Sequence, residues 1–272
     1  MQLISTANDG DVATVEKLLK AGAKVDRGAY NVHEAPTIIA PLMAAANAGH
    51  ATVIAVLLKA GAKMNRTTTG GLTPLFAAAQ FGHSAAVSVL VEAGAEIDIV
   101  INEQCTPLFI AVQEGHKSVL AVLIKAGADV NHTWDDGCSP VFMAVQNDNT
   151  AVLAMLMKAG ADINQARDNG CTPLFMAAQE NNETVLATLL KAGADVKSVK
   201  AGADVNSGRD SGCTPLFIAA AQGHDAVLVA LLEAGALITA MDDGYTPLMA
   251  ATNGGHTSVV AVLRRWTAGI RH

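Results

Sequence analysis

The four cysteines are the first candidates for chemistry in this sequence, because a thiolate can ligate zinc or attack as a nucleophile. Each lies two residues before a proline, at Cys105, Cys138, Cys171 and Cys213. Equivalent places in neighbouring structural units are separated by the spacing of packed helices, about 8–10 Å. A disulfide needs Cα atoms within about 4.4–6.8 Å, and tetrahedral zinc needs ligands that converge. We therefore expect thiols without metal or cofactor, in a reducing compartment, either the cytoplasm or the nucleus.

Histidine is the second candidate, as a general base or a metal ligand. Five of the eight histidines directly follow a glycine, at His50, His83, His116, His224 and His256. This spacing predicts a row rather than a cluster, whereas a catalytic site needs a nucleophile, a base and an orienting group in one pocket. No glycine-rich stretch matches a phosphate-binding loop. The sequence predicts no catalytic residues, no small-molecule substrate and no enzyme activity.

A repeat marked by Thr-Pro-Leu-Phe or a close variant positions these residues. Its prolines recur every 33 residues from Pro41 to Pro173, and Pro215 and Pro247 follow after 42 and 32 residues. A fixed period of roughly 20–50 residues indicates a stacked repeat protein. The threonine or serine before most of these prolines is suited to cap a helix, and proline suits the first helical position.

Two short helices are predicted in each repeat. Eight residues after each proline stands Gly, Asp or Asn, the types that accept a left-handed conformation at a helix end: Gly49, Gly82, Gly115, Asp148, Asn181, Gly223 and Gly255. A second helix with Val and Leu at helical spacing follows and ends at another glycine. A polar turn, such as Asp-Asn-Gly at 168–170, then leads to the next proline and is predicted to form a β-hairpin finger.

The pattern Gly-x-Thr-Pro-Leu-x-x-Ala-Ala-x-x-Gly-His, followed by Leu-Leu-x-x-Gly-Ala-Asp-Val-Asn, resembles the ankyrin repeat. Seven registered copies span nearly the whole chain, and residues 2–22 fit a degenerate eighth. The resemblance implies an all-α ankyrin-repeat solenoid of stacked helix-turn-helix units with short β-hairpin fingers. One departure is systematic, because Phe or Met replaces the histidine of the Thr-Pro-Leu-His core: Met43, Phe76, Phe109, Phe142, Phe175, Phe217 and Met249.

The chain is predicted to form a single ankyrin-repeat domain, 1–272. Residues 1–33 form an N-terminal capping repeat with a long first finger, 34–238 the internal repeats, and 239–272 a C-terminal capping repeat. The internal repeats carry an insertion at 197–205, where Lys191–Val196 is duplicated. The insertion either lengthens a finger toward a partner or is a neutral slippage. We expect its deletion to leave stability unchanged or slightly higher, because loop length costs little entropy.

Composition excludes several classes of partner. The net charge is −7, which argues against binding to nucleic acid or to an anionic membrane surface. The longest apolar runs fall far below the ~18 residues that a membrane span needs, and Met1–Gly10 does not resemble a signal peptide. We expect a monomer that binds neither membranes nor nucleic acid.

The variable positions of the repeat are the candidate binding surface. In the ankyrin family, partners lie against the fingers and the concave face of the first helices. By resemblance, these are the positions five, four and two before each proline and six and seven after it, and in the four copies from Pro107 to Pro215 they hold no lysine or arginine. Trp134 and Phe81 add aromatic side chains, which are enriched at interface hot spots. The predicted partner-binding residues, here called the strip, are Phe81, Glu103, Glu114, Trp134, Asp135, Asp136, Asn147, Asp168, Asn169, Glu180 and Asp210.

Three functions are consistent with this surface. The first is a protein–protein interaction module, without catalysis, that binds an unidentified protein with a neutral-to-basic surface through the concave helix face and the fingers. The second is a targeting or regulatory segment of a larger enzyme or secreted effector. The third is a structural spacer, for which a uniform surface potential is expected. Alternatively, the charges serve only solubility, and Phe81 packs against a neighbouring helix.

Overall fold

The structure is a computed structural model that describes residues 1–31, 37–101, 105–194 and 212–269. These residues contain sixteen α-helices, two β-strands and one 3-10 turn at Asp135–Gly137. The helices are α1 Gln2–Asn8, α2 Val12–Lys20, α3 Pro41–Asn47, α4 Ala51–Lys59, α5 Pro74–Gln80, α6 Ser84–Glu92, α7 Pro107–Gln113, α8 Lys117–Lys125, α9 Pro140–Gln146, α10 Thr150–Lys158, α11 Pro173–Gln179, α12 Glu183–Lys191, α13 Pro215–Gln222, α14 Asp225–Glu233, α15 Pro247–Asn253 and α16 Thr257–Thr267. The strands are β1 Ala29–Asn31 and β2 Thr37–Ile39.

The chain divides into two compact parts, an N-terminal half, Met1–Asp135, and a C-terminal half, Asp136–His272. The N-terminal half holds α1 to α8 with both strands, and the C-terminal half holds α9 to α16. The described residues of each half therefore form four helix pairs. The domain boundaries predicted from the sequence, including the single domain over 1–272, remain predictions.

The first helix of most repeats begins as its residue types predict. Proline occupies the first turn, and the hydroxyl of the preceding residue accepts a hydrogen bond from a backbone N–H three residues on. Thr106 Oγ1 accepts from the Phe109 N–H at 3.1 Å, and Ser139 Oγ accepts from the Phe142 N–H at 3.1 Å. Only α3, which follows Ala40, lacks such a side-chain cap among the proline-initiated helices. A cap of this kind stabilises a helix by about 1 kcal/mol.

The turn between the two helices of a repeat has the predicted left-handed residue. The glycines at this position, such as Gly49 and Gly82, have φ near +77° and +76°. Asp148 and Asn181 adopt the same conformation, with φ of +52° and +54°. A residue with a Cβ costs roughly 1–2 kcal/mol in the left-handed region, so these two turns are less stable than the glycine turns.

Alanine, leucine and valine build the core, together with the ring of each Thr-Pro-Leu-Phe segment. In α7 every residue from Pro107 to Val112 is buried, whereas α8 buries only one face, with Val119, Leu120 and Leu123. Within the halves, first helices pack on first helices, as α5 does on α7 and α11 on α13. Helices of seven to nine residues are unstable alone, so this packing between neighbouring repeats supplies the stability.

Regular strand pairing is confined to the first finger, as far as the structure describes the chain. There β1 and β2 pair antiparallel, with Ala29 opposite Ile39 and Asn31 opposite Thr37. A later finger forms a single bridge, between Ile101 and Cys105, and others are tight turns. The insertion predicted at 197–205 lies outside the described residues. Across the described ranges, no helix combines the length and the apolar character needed to cross a membrane.

Candidate partner-binding surface

In the N-terminal half, four strip residues lie at two kinds of place. Phe81 and Glu114 are the residues that follow α5 and α7, and both side chains are exposed, that of Phe81 to 55%. Trp134 and Asp135 lie in the finger after α8, where Asp135 is exposed and Trp134 is half-buried. The two kinds of place are the end of a first helix and the finger that the resemblance implied.

In the C-terminal half, five strip residues occupy equivalent positions and all are exposed. Two of them follow first helices, Asn147 after α9 and Glu180 after α11. The others are in fingers, at Asp136, Asp168 and Asn169. The remaining members of the predicted strip, Glu103 and Asp210, lie outside the described residues.

Trp134 is partly buried and packs against the protein interior. Its ring packs on the ring of Phe109, with centroids 5.3 Å apart and planes tilted by 50°. Its indole Nε1 atom is buried and has no hydrogen-bond partner. Phe109 is fully buried, so this contact closes one edge of the core. Part of the apolar surface of Trp134 therefore stabilises its own finger.

Asp136 forms an ion pair within the protein. Both its carboxylate oxygens accept hydrogen bonds from the Arg167 guanidinium, through Nε at 3.2 Å and through an NH2 group. The same guanidinium lies over the Phe142 ring, 5.0 Å from the ring centroid. The charge of Asp136 is thus balanced internally, which lowers its contribution to an acidic surface. Arg167 is not a member of the strip, and sequence reasoning missed this pair.

Neighbouring fingers of the C-terminal half also meet through their backbones. The Asp168 N–H donates to the Asp136 carbonyl at 2.8 Å. A Cβ on Gly137 would lie 2.6 Å from an Asp168 carboxylate oxygen, so the close approach requires glycine there. Asn169 stabilises the finger tip, because its side-chain oxygen accepts the Cys171 N–H at 2.9 Å. The finger acids are consequently held in place before any partner binds.

Comparison with known proteins identifies the repeat. The family model described as ankyrin repeats (3 copies) matches residues 3–100, 42–133, 108–200 and 196–271. The chain belongs to the ankyrin repeat family. Among solved structures, the crystal structure of the human ASB11 ankyrin repeat domain is 25% identical, with a TM-score of 0.66, over 82% of this chain and 97% of that one. A search of curated proteins finds no match.

These matches confirm the ankyrin-repeat solenoid predicted from the Thr-Pro-Leu-Phe pattern. Ankyrin repeats are generally protein–protein interaction modules, and the family is typically non-catalytic. The matches identify no specific partner.

The ankyrin Gly-His histidines form a structural row. The ring Nε2 of each lies 2.9–3.1 Å from a backbone carbonyl of the preceding repeat, as His50 does from Asn8 and His83 from Asn47. A carbonyl oxygen only accepts, so Nε2 carries the proton and donates it. These histidines link successive repeats and are spaced apart, as their sequence positions predict.

The four cysteines of the repeats are buried thiols. Burial raises the pKa of Cys105 and Cys138 to about 11, so both are neutral at physiological pH. A neutral, buried thiol is a poor nucleophile and a poor metal ligand. Within the described ranges, no group of three or more His, Cys, Asp or Glu side chains gathers in a way that could hold a metal ion.

Two repeats replace the Gly-His pair with Asp148–Asn149 and Asn181–Asn182. Asn182 donates from its side-chain amide to the Asp148 carboxylate at 2.6 Å and caps α12 by accepting the Val185 N–H at 3.0 Å. Asn149 caps α10 in the same way. Asp148 and Asn181 are exposed beside strip residues, and neither was predicted as a site residue. Their signal in the sequence was the loss of glycine at a position that is otherwise glycine.

Proposed function

We propose that this ankyrin chain binds a protein partner with a neutral-to-basic surface, through strip residues on its first-helix ends and fingers, without catalysis of its own. The observation that carries the proposal is the exposure of Glu114, Asp135, Asp168 and Glu180 at the positions equivalent from repeat to repeat. Sequence reasoning required these side chains to reach solvent, and a buried set would have argued against the proposal.

The charge of the chain differs between the two helices of a repeat. Exposed lysines end α4, α8, α10 and α12, at Lys59, Lys125, Lys158 and Lys191, whereas α6 and α14 end at the exposed Glu92 and Glu233. The first-helix ends carry exposed carboxylates and amides instead, such as Glu114 and Asn147. Segregated charge steers association, and it favours a partner of opposite sign at the acidic side. A spacer with no partner has no need of this segregation.

The expected energy of the acidic contribution is modest. An exposed ion pair contributes about 0.5 kcal/mol, so four pairs give about 2 kcal/mol, or roughly 30-fold in Kd. Reversal of the four charges replaces attraction with repulsion, and the loss of affinity is then larger. The exposed ring of Phe81 adds apolar area that a charge reversal leaves intact.

The test is affinity capture from native lysate with three forms of the full chain. The strip variant carries Glu114→Lys, Asp135→Lys, Asp168→Lys and Glu180→Lys. The control variant changes the net charge equally at exposed acids on or beside second helices: Glu16→Lys, Glu92→Lys, Glu96→Lys and Glu233→Lys.

The wild type and the control are expected to capture the same protein, and the strip variant is expected to lose it. Equal capture by the strip variant and the wild type would contradict the proposal. A catalytic subunit as the captured protein would favour the alternative, in which the chain targets or regulates an enzyme.

A further inference from the structure

The residue two positions after each repeat proline is where this chain departs from the ankyrin pattern, and it is covered in nearly every repeat. Phe109 and Phe142 are fully buried, and the other members up to Phe217 are buried as well. Met249 is the exception at 50% exposure. At Phe109, Phe142 and Phe217, side chains of the following finger cover this position.

The covering groups are finger side chains that contact the ring directly. Trp134 packs on Phe109 at 5.3 Å between centroids, and the Arg167 guanidinium lies 5.0 Å from the Phe142 centroid. Tyr245 packs on Phe217 at 6.0 Å. Trp134 and Arg167 both stand six residues before the next proline, so they are equivalent residues of two fingers. An aromatic and a cationic side chain thus occupy the same position of the repeat and contact the same ring position.

We propose that this ring is a seat that holds the following finger, and that the seated side chain determines whether the finger responds to salt. Two of these residues directly precede a strip carboxylate, Trp134 before Asp135 and Arg167 before Asp168. The rings are therefore positioning residues for the finger acids. The proposal concerns finger order in the chain alone, and its test needs no partner.

The two seats differ in chemistry, because one is a charged contact and the other is apolar. The Arg167 seat combines a cation over a ring with an ion pair to Asp136, whose side chains are 24% and 50% exposed. Salt screens an ion pair of that exposure. The Trp134 seat is a contact between two apolar rings, which salt does not screen. High salt consequently loosens the finger held by Arg167 and leaves the finger held by Trp134 in place.

Hydrogen exchange of the full chain, followed by NMR, tests the Arg167 seat. The reporters are the amides of Asp168, which donates to the Asp136 carbonyl, and Gly170, which donates to the Arg167 carbonyl. Salt is raised from about 0.1 M to about 1 M, which shortens the Debye length from about 10 Å to about 3 Å. Both amides are expected to exchange about two- to fivefold faster at high salt, while the amides of α10 are unchanged.

Two variants separate the seat from the charge. Arg167→Met replaces the charge with an apolar side chain, the type found at Met241, which stands six residues before Pro247 and is buried. This variant is expected to keep wild-type exchange at low salt within about twofold and to lose the salt response. Phe142→Leu is expected to speed exchange of the Asp168 amide at both salt concentrations. Persistence of the salt response in Arg167→Met, or unchanged exchange in Phe142→Leu, would overturn the proposal.

Fluorescence tests the Trp134 seat in parallel. Trp266→Phe leaves Trp134 as the single tryptophan, because the chain has two. Its emission maximum is expected to stay unchanged between the two salt concentrations and to shift to longer wavelength when Phe109→Leu is added. A salt-induced red shift, or no shift on Phe109→Leu, would show that the ring does not hold this finger.

Discussion

The turns between the two helices of a repeat are of two chemical kinds. In the Gly-His kind, the imidazole of one repeat lies over the turn glycine of the preceding repeat, and a Cβ on Gly49 would come within 2.5 Å of His83 Nδ1. In the Asn kind, the Asn182 amide donates to the Asp148 carboxylate and its oxygen caps its own helix. The first arrangement excludes a side chain from the preceding turn, and the second accommodates one.

The difference shows where the chain gains exposed polar side chains at its turns. Where Asn182 replaces the histidine, the preceding turn carries Asp148 with φ of +52°, at a cost of roughly 1–2 kcal/mol relative to glycine. Asp148 and Asn181 then stand exposed beside Asn147 and Glu180 of the strip. Two turns of the C-terminal half therefore carry a polar side chain where the turns of the N-terminal half have glycine, at a cost in stability.

His224 marks the limit of this coupling. The turn of the repeat before it carries Asn181 rather than a glycine, yet its Nε2 still lies 3.1 Å from the Gln179 carbonyl and 2.9 Å from the Gln222 side-chain oxygen. A histidine at this place thus tolerates a side chain in the preceding turn. We expect the energetic coupling between a histidine and the turn of the preceding repeat to be strongest where that turn is a glycine covered by the ring.

The largest effect is expected for Gly49→Ala. The new Cβ meets the His83 ring at 2.5 Å, and φ of +77° adds strain, so the free energy of unfolding should fall by about 2–4 kcal/mol. Gly61→Ala is the matched control, because its φ is +86° with no atom within 4 Å, and about 1–2 kcal/mol is expected. Urea unfolding measures both. Equal losses would show that the histidine contact is not what excludes the side chain.

A swap of one turn kind for the other is expected to have an intermediate effect. Asn182→His alone should destabilise by about 1–2 kcal/mol, because it removes the cap on α12 and brings a ring against Asp148. Asp148→Gly in the same chain should restore most of that loss. A double-mutant cycle in urea measures the coupling, expected at about 1–2 kcal/mol. Strictly additive losses would show that residues 148 and 182 are not coupled.

The smallest effect is expected for Asn181→Gly. Glycine relieves the left-handed strain, but it also raises the conformational entropy of the unfolded chain. The net effect should be a rise of about 0.5–1 kcal/mol in the free energy of unfolding. Asn147→Gly is the control, because Asn147 has φ of −85° and gains nothing from glycine. It should destabilise by about 0.5 kcal/mol. Thermal unfolding distinguishes the two signs, and a loss of stability in Asn181→Gly would contradict the assigned strain.

Local features of this fold follow from residue types at fixed spacing. The cap of Thr106 on the Phe109 N–H and the left-handed Asp148 were predictable, because each depends on a few neighbouring residues. The exposure of Glu114 and Glu180 followed from their register in the family. These predictions needed no knowledge of how one repeat sits on the next.

Contacts across a repeat boundary were not predictable in the same way. Trp134 was expected as a surface aromatic, and its packing on Phe109 depends on where the finger turns back. The Arg167–Asp136 pair likewise joins two fingers that local preferences do not relate. One signal was present, since Phe109 to Trp134 and Phe142 to Arg167 have the same separation of 25 residues.

Site-specific photo-crosslinking shows whether the captured partner lies against the strip. A photoreactive residue is placed seven residues after the repeat prolines, at Phe81, Glu114, Asn147 or Glu180, and in control chains at Lys59, Lys125 or Lys158 on second helices. We expect crosslinks to the partner from the first set and none from the lysine positions. Crosslinks from the lysine positions alone would contradict this expectation, because the partner would then bind the second helices rather than the strip.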